Sequence, residues 1–238
     1  MFTGLIEASG RVGRLDAAPG GQRLAIETVL GPELRPGDSI AVNGVCLTVI
    51  SADAVGFSVD VSPETLRVTS LRSASAGRVV NLERPVRADS RLGGHFVLGH
   101  VDDVGRVSVL RPDGDAYWLD VDFPAALAPL IVPKGSIAVD GISLTVAALG
   151  RDRFGVQIVP YTWEHTTLKQ MRPGDLVNLE VDVLGKYVMR LLETRGLTGR
   201  GERARASEPR ERSGVRGVPA RERVGGAAGA KPPGTESR

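Results

Sequence analysis

Residues 36–49 read PGDSIAVNGVCLTV, and residues 133–146 read PKGSIAVDGISLTV. Nine of those fourteen positions are identical at a separation of 97. The match runs outward from this core. FSVDVSPETLRVTSL (57–71) lies over FGVQIVPYTWEHTTL (154–168), and AGRVVNLE (76–83) lies over PGDLVNLE (173–180), both still in step. Near the start, GLIEASGRV (4–12) lies over GHVDDVGRV (99–107) at an offset of 95. Four matching segments in order make the chain two copies of one module, followed by a tail.

Each copy reads as β. Ser39–Val42 and Val45–Val49 are rich in β-branched residues and are parted by Asn43-Gly44, a tight-turn dipeptide; Asp140-Gly141 stands at that place in the second copy. Residues 57–61 and 78–82 have strand length and character, and residues 65–71 and 162–171 each predict one short helix. Short strands at close spacing, split by Gly and Pro, suggest a small closed barrel or a sandwich. The expected fold is all-β, with two barrels in tandem. From 184 onward, apolar residues at 184, 188, 191 and 192 have helical spacing. Expected units are residues 1–94 and 95–183, a helix over 184–195 and a disordered basic tail over 196–238.

Charge and composition narrow the function classes. The 238 residues carry a net +2, but the last 43 hold ten Lys/Arg against five Asp/Glu, leaving the body at −3. That tail has nine glycines and no aromatic residue, too little to offset its ordering entropy. It reads as a solvated extension, with contact to RNA or an acidic protein as the alternative. A single cysteine excludes an internal disulfide framework, and three histidines leave little for zinc. The opening MFTGLIEASG lacks a basic, then apolar, leader pattern, and no window approaches the ~18 apolar residues of a membrane span. The expectation is a soluble, cytoplasmic protein without a membrane partner.

Alternation along the strands separates two faces. Leu47 and Val49 suit a barrel interior, so Cys46 and Thr48 point outward; Leu144 and Val146 repeat this against Ser143 and Thr145. A row of small hydrogen-bonding groups occurring twice suggests two similar ligand sites. Thr as a strand former, with Cys and Ser as small fillers, is the plainer alternative. Cys46 as a nucleophile would need a cationic or histidine neighbour, and His100 is the candidate only if the fold brings it there. His95 and His100 stand five apart, on opposite faces of any strand, which argues against their sharing a metal. No phosphate-cradling glycine loop occurs.

Taken in order, several motifs resemble one family. Met1-Phe2-Thr3-Gly4-Leu5-Ile6-Glu7, Asn43–Val49, Pro63-Glu64-Thr65, Gly93-Gly94-His95, Gly99-His100-Val101-Asp102 and Asp140–Thr145 are similar to the riboflavin synthases, alpha-chain type, of the lumazine-binding duplicated-barrel family. The resemblance covers residues 1–195. It implies a transferase that dismutates two molecules of 6,7-dimethyl-8-ribityllumazine. One gives a four-carbon unit to the other, yielding riboflavin and 5-amino-6-ribitylamino-2,4-pyrimidinedione, with no cofactor or metal. It also implies two similar six-stranded Greek-key barrels, a C-terminal helix, a homotrimer assembled through those helices, and association with lumazine synthase as a possible partner. By resemblance the first module's site takes Gly4, Leu5 and Ile6, then Cys46, Leu47 and Thr48, then Asp60, Val61, Ser62, Pro63, Glu64 and Thr65. The second module's site takes Gly99, His100, Val101, Lys134, Ser143, Leu144 and Thr145, then Ile158, Val159, Pro160, Tyr161, Thr162 and Trp163. Ser39, Cys46 and His100 are the candidates for proton transfer or transient addition. Phe2 is expected beside the ligand, with Asp140 and Asp182 as secondary candidates.

Two rival classes remain. A non-catalytic lumazine- or flavin-binding protein would use the same duplicated barrel, but would tend to lose the polar set in one copy; here both copies keep theirs. A nucleic-acid-binding pair of barrels would want aromatic platforms and a basic body, whereas aromatics are 4% and the body is acidic. No nucleic-acid partner is expected.

Overall fold

The computed structural model describes residues 1–197. Residues 8–83 form one closed antiparallel barrel from β1 (Ala8–Ala18), β2 (Gly21–Glu27), β3 (Ser39–Val42), β4 (Val45–Ala52), β5 (Gly56–Val61) and β6 (Val79–Glu83). They close in the order β1-β2-β5-β4-β3-β6. The second barrel follows the same circuit with β7 (Asp103–Asp113), β8 (Ala116–Asp122), β9 (Ser136–Val139), β10 (Ile142–Leu149), β11 (Arg153–Ile158) and β12 (Leu176–Val181). Among the described residues the α-helices are α1 (Pro63–Val68), α2 (Pro160–His165) and α3 (Val183–Thr194). The all-β tandem-barrel architecture is therefore the observed one. Of the tail, residues 198–238 lie outside the described residues, and the expectation of disorder there with them.

Local chemistry repeats with the sequence. Asn43 and Asp140 sit at φ 45° and 44° and their glycines at 74° and 79°, the paired positive angles of a two-residue hairpin turn. Register slips at Val12/Arg14 and Val49/Ser51 recur at Val107/Val109 and Val146/Ala148. Such bulges supply the extra bend that closing a small barrel needs. Alternation on β4 is as expected: Val45, Leu47 and Val49 are buried, Cys46 is half-buried and Thr48 exposed. On β10, Ile142, Leu144 and Val146 are buried, Ser143 half-buried and Thr145 exposed. Each buried aliphatic side chain is worth about 1.5–3 kcal/mol, so a slip of one residue would forfeit a whole face.

The helices differ from expectation in one respect. Each starts two residues earlier, at Pro63 and Pro160, and each breaks at a threonine into a separate 3-10 turn, Ser70–Ser73 and Thr167–Gln170. Proline at the first helical turn has its φ preset for helix. Thr69 is extended (φ −125°, ψ 165°); its Oγ1 donates to Thr65 O (2.7 Å) and accepts the Leu71 N–H (3.3 Å). Thr166 does the same with Thr162 O (2.7 Å) and the Leu168 N–H (3.3 Å). The hydroxyl ends one helix and caps the next turn.

The barrels meet about a local twofold axis. Gly44 and Gly141 approach so closely that a Cβ on Gly44 would lie 2.6 Å from Gly141 N. Around them the side chain of Asn81 donates to Asp140 O (3.0 Å) and accepts the Thr167 N–H (2.8 Å). Asn178 mirrors it, donating to Asn43 O (2.8 Å) and accepting the Ser70 N–H (2.6 Å). The repeated Asn-Leu-Glu motif thus crosses the interface from both sides. Beside the axis Phe2, Ala41, Val97 and Ala138 form a small buried cluster.

Beyond β12, Asp182 caps α3 by accepting the Leu184 N–H (3.0 Å). Leu184, Tyr187, Val188 and Leu191 are all exposed, an apolar stripe at helical spacing. No described helix is long and apolar enough to cross a membrane.

Candidate ligand sites

Two short straps decide how the candidate residues come together. Phe2 and Val97 pair as an isolated bridge, Phe2 N–H donating to Val97 O (2.6 Å) and Val97 N–H to Phe2 O (3.2 Å). From that crossing each strap runs onto a barrel. Gly4 O accepts the Ser143 N–H (2.8 Å) on β10, and Gly99 O accepts the Cys46 N–H (2.9 Å) on β4. Both glycines have positive φ, 77° and 78°. A Cβ on Gly4 would lie 2.6 Å from Ser143 Cβ, and one on Gly99 would lie 2.6 Å from Cys46 Cβ. Conformation and space each demand glycine there. Downstream, Ile6 packs against the second barrel's core and Val101 against the first's.

The grouping expected from the sequence is therefore crossed. Gly4, Leu5 and Ile6 belong with Ser143, Leu144 and Thr145, while Gly99, His100 and Val101 belong with Cys46, Leu47 and Thr48. The helices follow the same rule. A cleft of about 470 Å³ is bordered by Arg67 and Val68 of α1 and by Asp102–Arg106, just past the second strap. Its counterpart, about 270 Å³, is bordered by Tyr161, Glu164 and His165 of α2 and by Ile6–Ser9.

In the first half-site Cys46 and Thr48 face outward from β4, and Ser39 lies across from Thr48 on β3, half-buried. His100 follows Gly99 and is exposed. The strap brings the imidazole's backbone next to the thiol's, although no hydrogen bond joins the two side chains among the described residues. Leu47 and Val61 point into the core. Asp60 is held by Arg23 through two hydrogen bonds (2.8 and 2.9 Å), and Glu64 by Arg67 (2.6 and 2.8 Å). Each guanidinium keeps its carboxyl below the ordinary range. Ser62 Oγ accepts the Thr65 N–H (3.1 Å), with Pro63 opening α1.

The second half-site is furnished differently. Leu5 takes the place of His100, and Ser143 the place of Cys46. Tyr117 and Trp163 stack at 3.7 Å, and Tyr161 stacks on His165 at 4.0 Å. Leu144 and Ile158 are core residues; Thr145, Val159 and Pro160 are exposed and Thr162 half-buried. Lys134 is exposed at φ 64°, where the first module has Gly37 at φ 95°; both N–H groups donate to β-strand carbonyls, Val146 O and Val49 O (each 2.8 Å). A lysine in the left-handed region carries a cost that glycine avoids.

Sequence reasoning missed one residue. His95 is buried and its Nδ1 lies 2.7 Å from Ser143 Oγ. Burial holds the imidazole below its usual range, so it is neutral near pH 7, and its Nε2 is buried without a partner. The two residues stand 48 apart on different elements, so only topology could reveal the pair. Phe2 is wholly buried at the interface, in the small cluster against which Cys46 packs. Asp140 is buried between the barrels, its Oδ1 accepting the Asn178 N–H (2.7 Å), and Asp182 is the cap of α3.

A larger cleft, about 760 Å³, runs beside the linker and is lined by Leu5 and Ser39, from opposite half-sites, with Arg84, Arg87 and Arg91. Among the described residues no three His, Cys, Asp or Glu side chains gather at metal-binding range.

Comparison with known proteins gives these two half-sites a context. A model of the lumazine binding domain matches residues 3–85 and again 98–182. The riboflavin synthase of Mycobacterium bovis is 47% identical over 204 residues, covering 82% of this chain and 100% of the relative. Those of Bacillus subtilis and Schizosaccharomyces pombe are 40% and 44% identical, each over 81% of this chain and over 90% and 94% of the relatives. Among solved structures, LumP complexed with 6,7-dimethyl-8-(1'-D-ribityl) lumazine aligns with TM-score 0.69 at 22% identity, over 76% of this chain and 99% of that one. LumP complexed with riboflavin aligns with TM-score 0.71 at 23% identity over the same shares. That likeness is one of fold.

Proposed function

The chain belongs to the riboflavin synthase family, built on a duplicated lumazine-binding domain, and we propose that it catalyses that family's reaction. Two molecules of 6,7-dimethyl-8-ribityllumazine dismutate by transfer of a four-carbon unit, giving riboflavin and 5-amino-6-ribitylamino-2,4-pyrimidinedione. Atoms and electrons balance between the two reactants, so neither oxidant nor reductant is required.

The observation that carries this reading is the pair of strap-completed half-sites. A reaction between two copies of one compound needs two sites of one design, and fixing both reactants removes about 7–11 kcal/mol of orientational barrier. In each half-site, peptide groups on the outward strand and strap read the polar edge of the pyrimidinedione. Thr48 and Thr145 supply hydroxyls on one side, and the start of α1 or α2 closes the other. Lys134, displayed by its strained backbone, offers a cation to the second half-site's ligand.

The two half-sites divide the chemistry. Loss of a proton from the acidic 7-methyl group starts the donor–acceptor sequence. Ser39, Cys46 and His100 are the groups proposed to move that proton or to add transiently, and all three lie at the first half-site. The second half-site, with its stacked aromatics and its Ser143–His95 pair, holds a planar ring by contact more than by charge.

The two modules, taken as residues 1–94 and 95–183, are proposed to meet across subunits. The apolar stripe of α3 suits assembly into a homotrimer, which would bring the first half-site of one subunit to face the second of another. Cytoplasmic residence and association with lumazine synthase, which would supply the substrate, belong to the same proposal. The alternative, a lumazine or flavin carrier on this fold, would bind without turnover. Following absorbance as the chain meets 6,7-dimethyl-8-ribityllumazine separates the two: riboflavin formed at half the rate of lumazine loss supports the enzyme, and binding without riboflavin supports the carrier.

A further inference from the structure

The Asn-Leu-Glu motif ends each barrel in a carboxylate that the mechanism above leaves unused. Glu83 is the last residue of β6 and Glu180 the last but one of β12, and both are buried. Among the described residues neither forms an ion pair with an arginine or lysine. Glu83 Oε1 accepts the Thr3 N–H and the Thr3 Oγ1–H, each at 2.7 Å, and its Oε2 accepts the Gly4 N–H at 3.0 Å. Glu180 accepts the Leu98 N–H (2.7 Å) and the Gly99 N–H (3.0 Å), one with each oxygen. A buried carboxylate spending both oxygens on a strap's peptide groups fixes where that strap lies.

The geometry matters because the straps cross. Gly4 turns its N–H toward Glu83 on the first barrel and its carbonyl toward Ser143 on the second. Gly99 turns its N–H toward Glu180 on the second barrel and its carbonyl toward Cys46 on the first. We infer that Glu83 and Glu180 are reciprocal positioning residues: each holds the strap that completes the half-site on the opposite barrel. The inference rests on the proposed function for what the half-sites bind, but the clamp itself is a property of the chain. A change at either glutamate is therefore expected to act on the half-site of the opposite barrel. Burial raises both carboxyls above the ordinary range while the strap N–H groups oppose this, as expected of acceptors desolvated for these bonds.

The chain carries a separate reporter for each half-site. Cys46 is its only cysteine and lies in the first; both tryptophans, Trp118 and Trp163, lie in the second barrel. The full chain and its Glu83→Gln and Glu180→Gln variants are compared by hydrogen exchange of segments 2–6 and 97–101. They are then titrated with riboflavin, reading protection of Cys46 from iodoacetamide and quenching of tryptophan emission. Glu180→Gln should speed exchange in 97–101 alone and weaken riboflavin's protection of Cys46 about tenfold, leaving the tryptophan titration unchanged. Glu83→Gln should speed exchange in 2–6 alone and weaken the tryptophan response by a similar factor while Cys46 behaves as before. Effects confined to the mutated barrel, equal effects on both reporters, or unchanged strap exchange would overturn the inference. Should a Gln variant not fold, Thr3→Val removes one of the donors to Glu83 and must show the second-barrel effect in reduced form. If riboflavin moves neither reporter in the unaltered chain, the proposed function fails, while the exchange comparison still decides the clamp.

Discussion

Replacing Asp140 by asparagine makes the barrel interface symmetric, and the structure sets the size of the effect. Asp140 is 2% exposed, and its Oδ1 accepts the Asn178 N–H at 2.7 Å. Across the axis Asn43 occupies the matching place and its Oδ1 accepts the Asn81 N–H at the same 2.7 Å. Burial pushes the Asp140 carboxyl from 3.8 to about 7, with the Asn178 N–H and Arg78 opposing the rise and Asp175 adding to it. Each pH unit between the two values is worth about 1.4 kcal/mol. The folded state binds the proton more tightly than the unfolded chain, so this contribution is fully present below pH 3.8 and is lost as pH rises through about 7. Full ionisation in the fold thus costs about 4 kcal/mol, of which about 3 kcal/mol falls between pH 5 and pH 8. An asparagine keeps the acceptor and removes the proton equilibrium. Urea unfolding at fixed protein concentration should find Asp140→Asn more stable than the unaltered chain at both pH values, with the advantage about 3 kcal/mol larger at pH 8 than at pH 5. An advantage that does not grow with pH, or a variant less stable at pH 8, would refute the reasoning. It would mean that Asp140 is ionised in the fold and balanced by Arg78.

Other predictions follow from the half-sites. Gly99→Ala forces a Cβ to within 2.6 Å of Cys46 Cβ in a left-handed turn; steady-state rates should fall about 100-fold or more, since an ångström of misplacement costs that much. Ser143→Ala strips buried His95 of its recorded side-chain partner and should lower stability by about 1–3 kcal/mol, with His95→Phe added to it restoring part of the loss in a thermal melt. His100→Gln, if the imidazole moves a proton, should lower kcat by about 100-fold or more, and a kcat within twofold of the parent would remove it from the mechanism. Leu191→Glu places a charge on the exposed stripe of α3 and should sediment as a monomer where the unaltered chain sediments as the proposed trimer.

The repeat made the fold legible, because nine identities in fourteen residues placed the same hairpin turn and the same inward Leu and Val in both copies. Alternation then told which of Cys46, Leu47 and Thr48 would face outward, since a strand has only two faces. The helix limits were less readable. Proline at 63 and 160 can open a helix or end a strand, and the breaks at Thr69 and Thr166 depend on a side-chain hydrogen bond back to the preceding turn. Which strap serves which barrel could not be read at all. The change of offset from 97 to 95 shows only that the straps and strands are spaced differently. The exchange itself is a matter of how two barrels pack, and it follows from the Phe2–Val97 crossing. His95 was hidden for the same reason: its partner Ser143 is 48 residues away and on another element.

The most direct test of the account is product stoichiometry. The chain is purified without added cofactor, dialysed against EDTA and given 6,7-dimethyl-8-ribityllumazine alone, while lumazine loss and riboflavin gain are followed by absorbance. Two half-sites of one design predict two lumazines consumed for each riboflavin formed, with one pyrimidinedione released. Saturable binding of lumazine without riboflavin, through repeated turnover times of the related enzymes, would contradict it and leave a carrier built on the same pair of barrels.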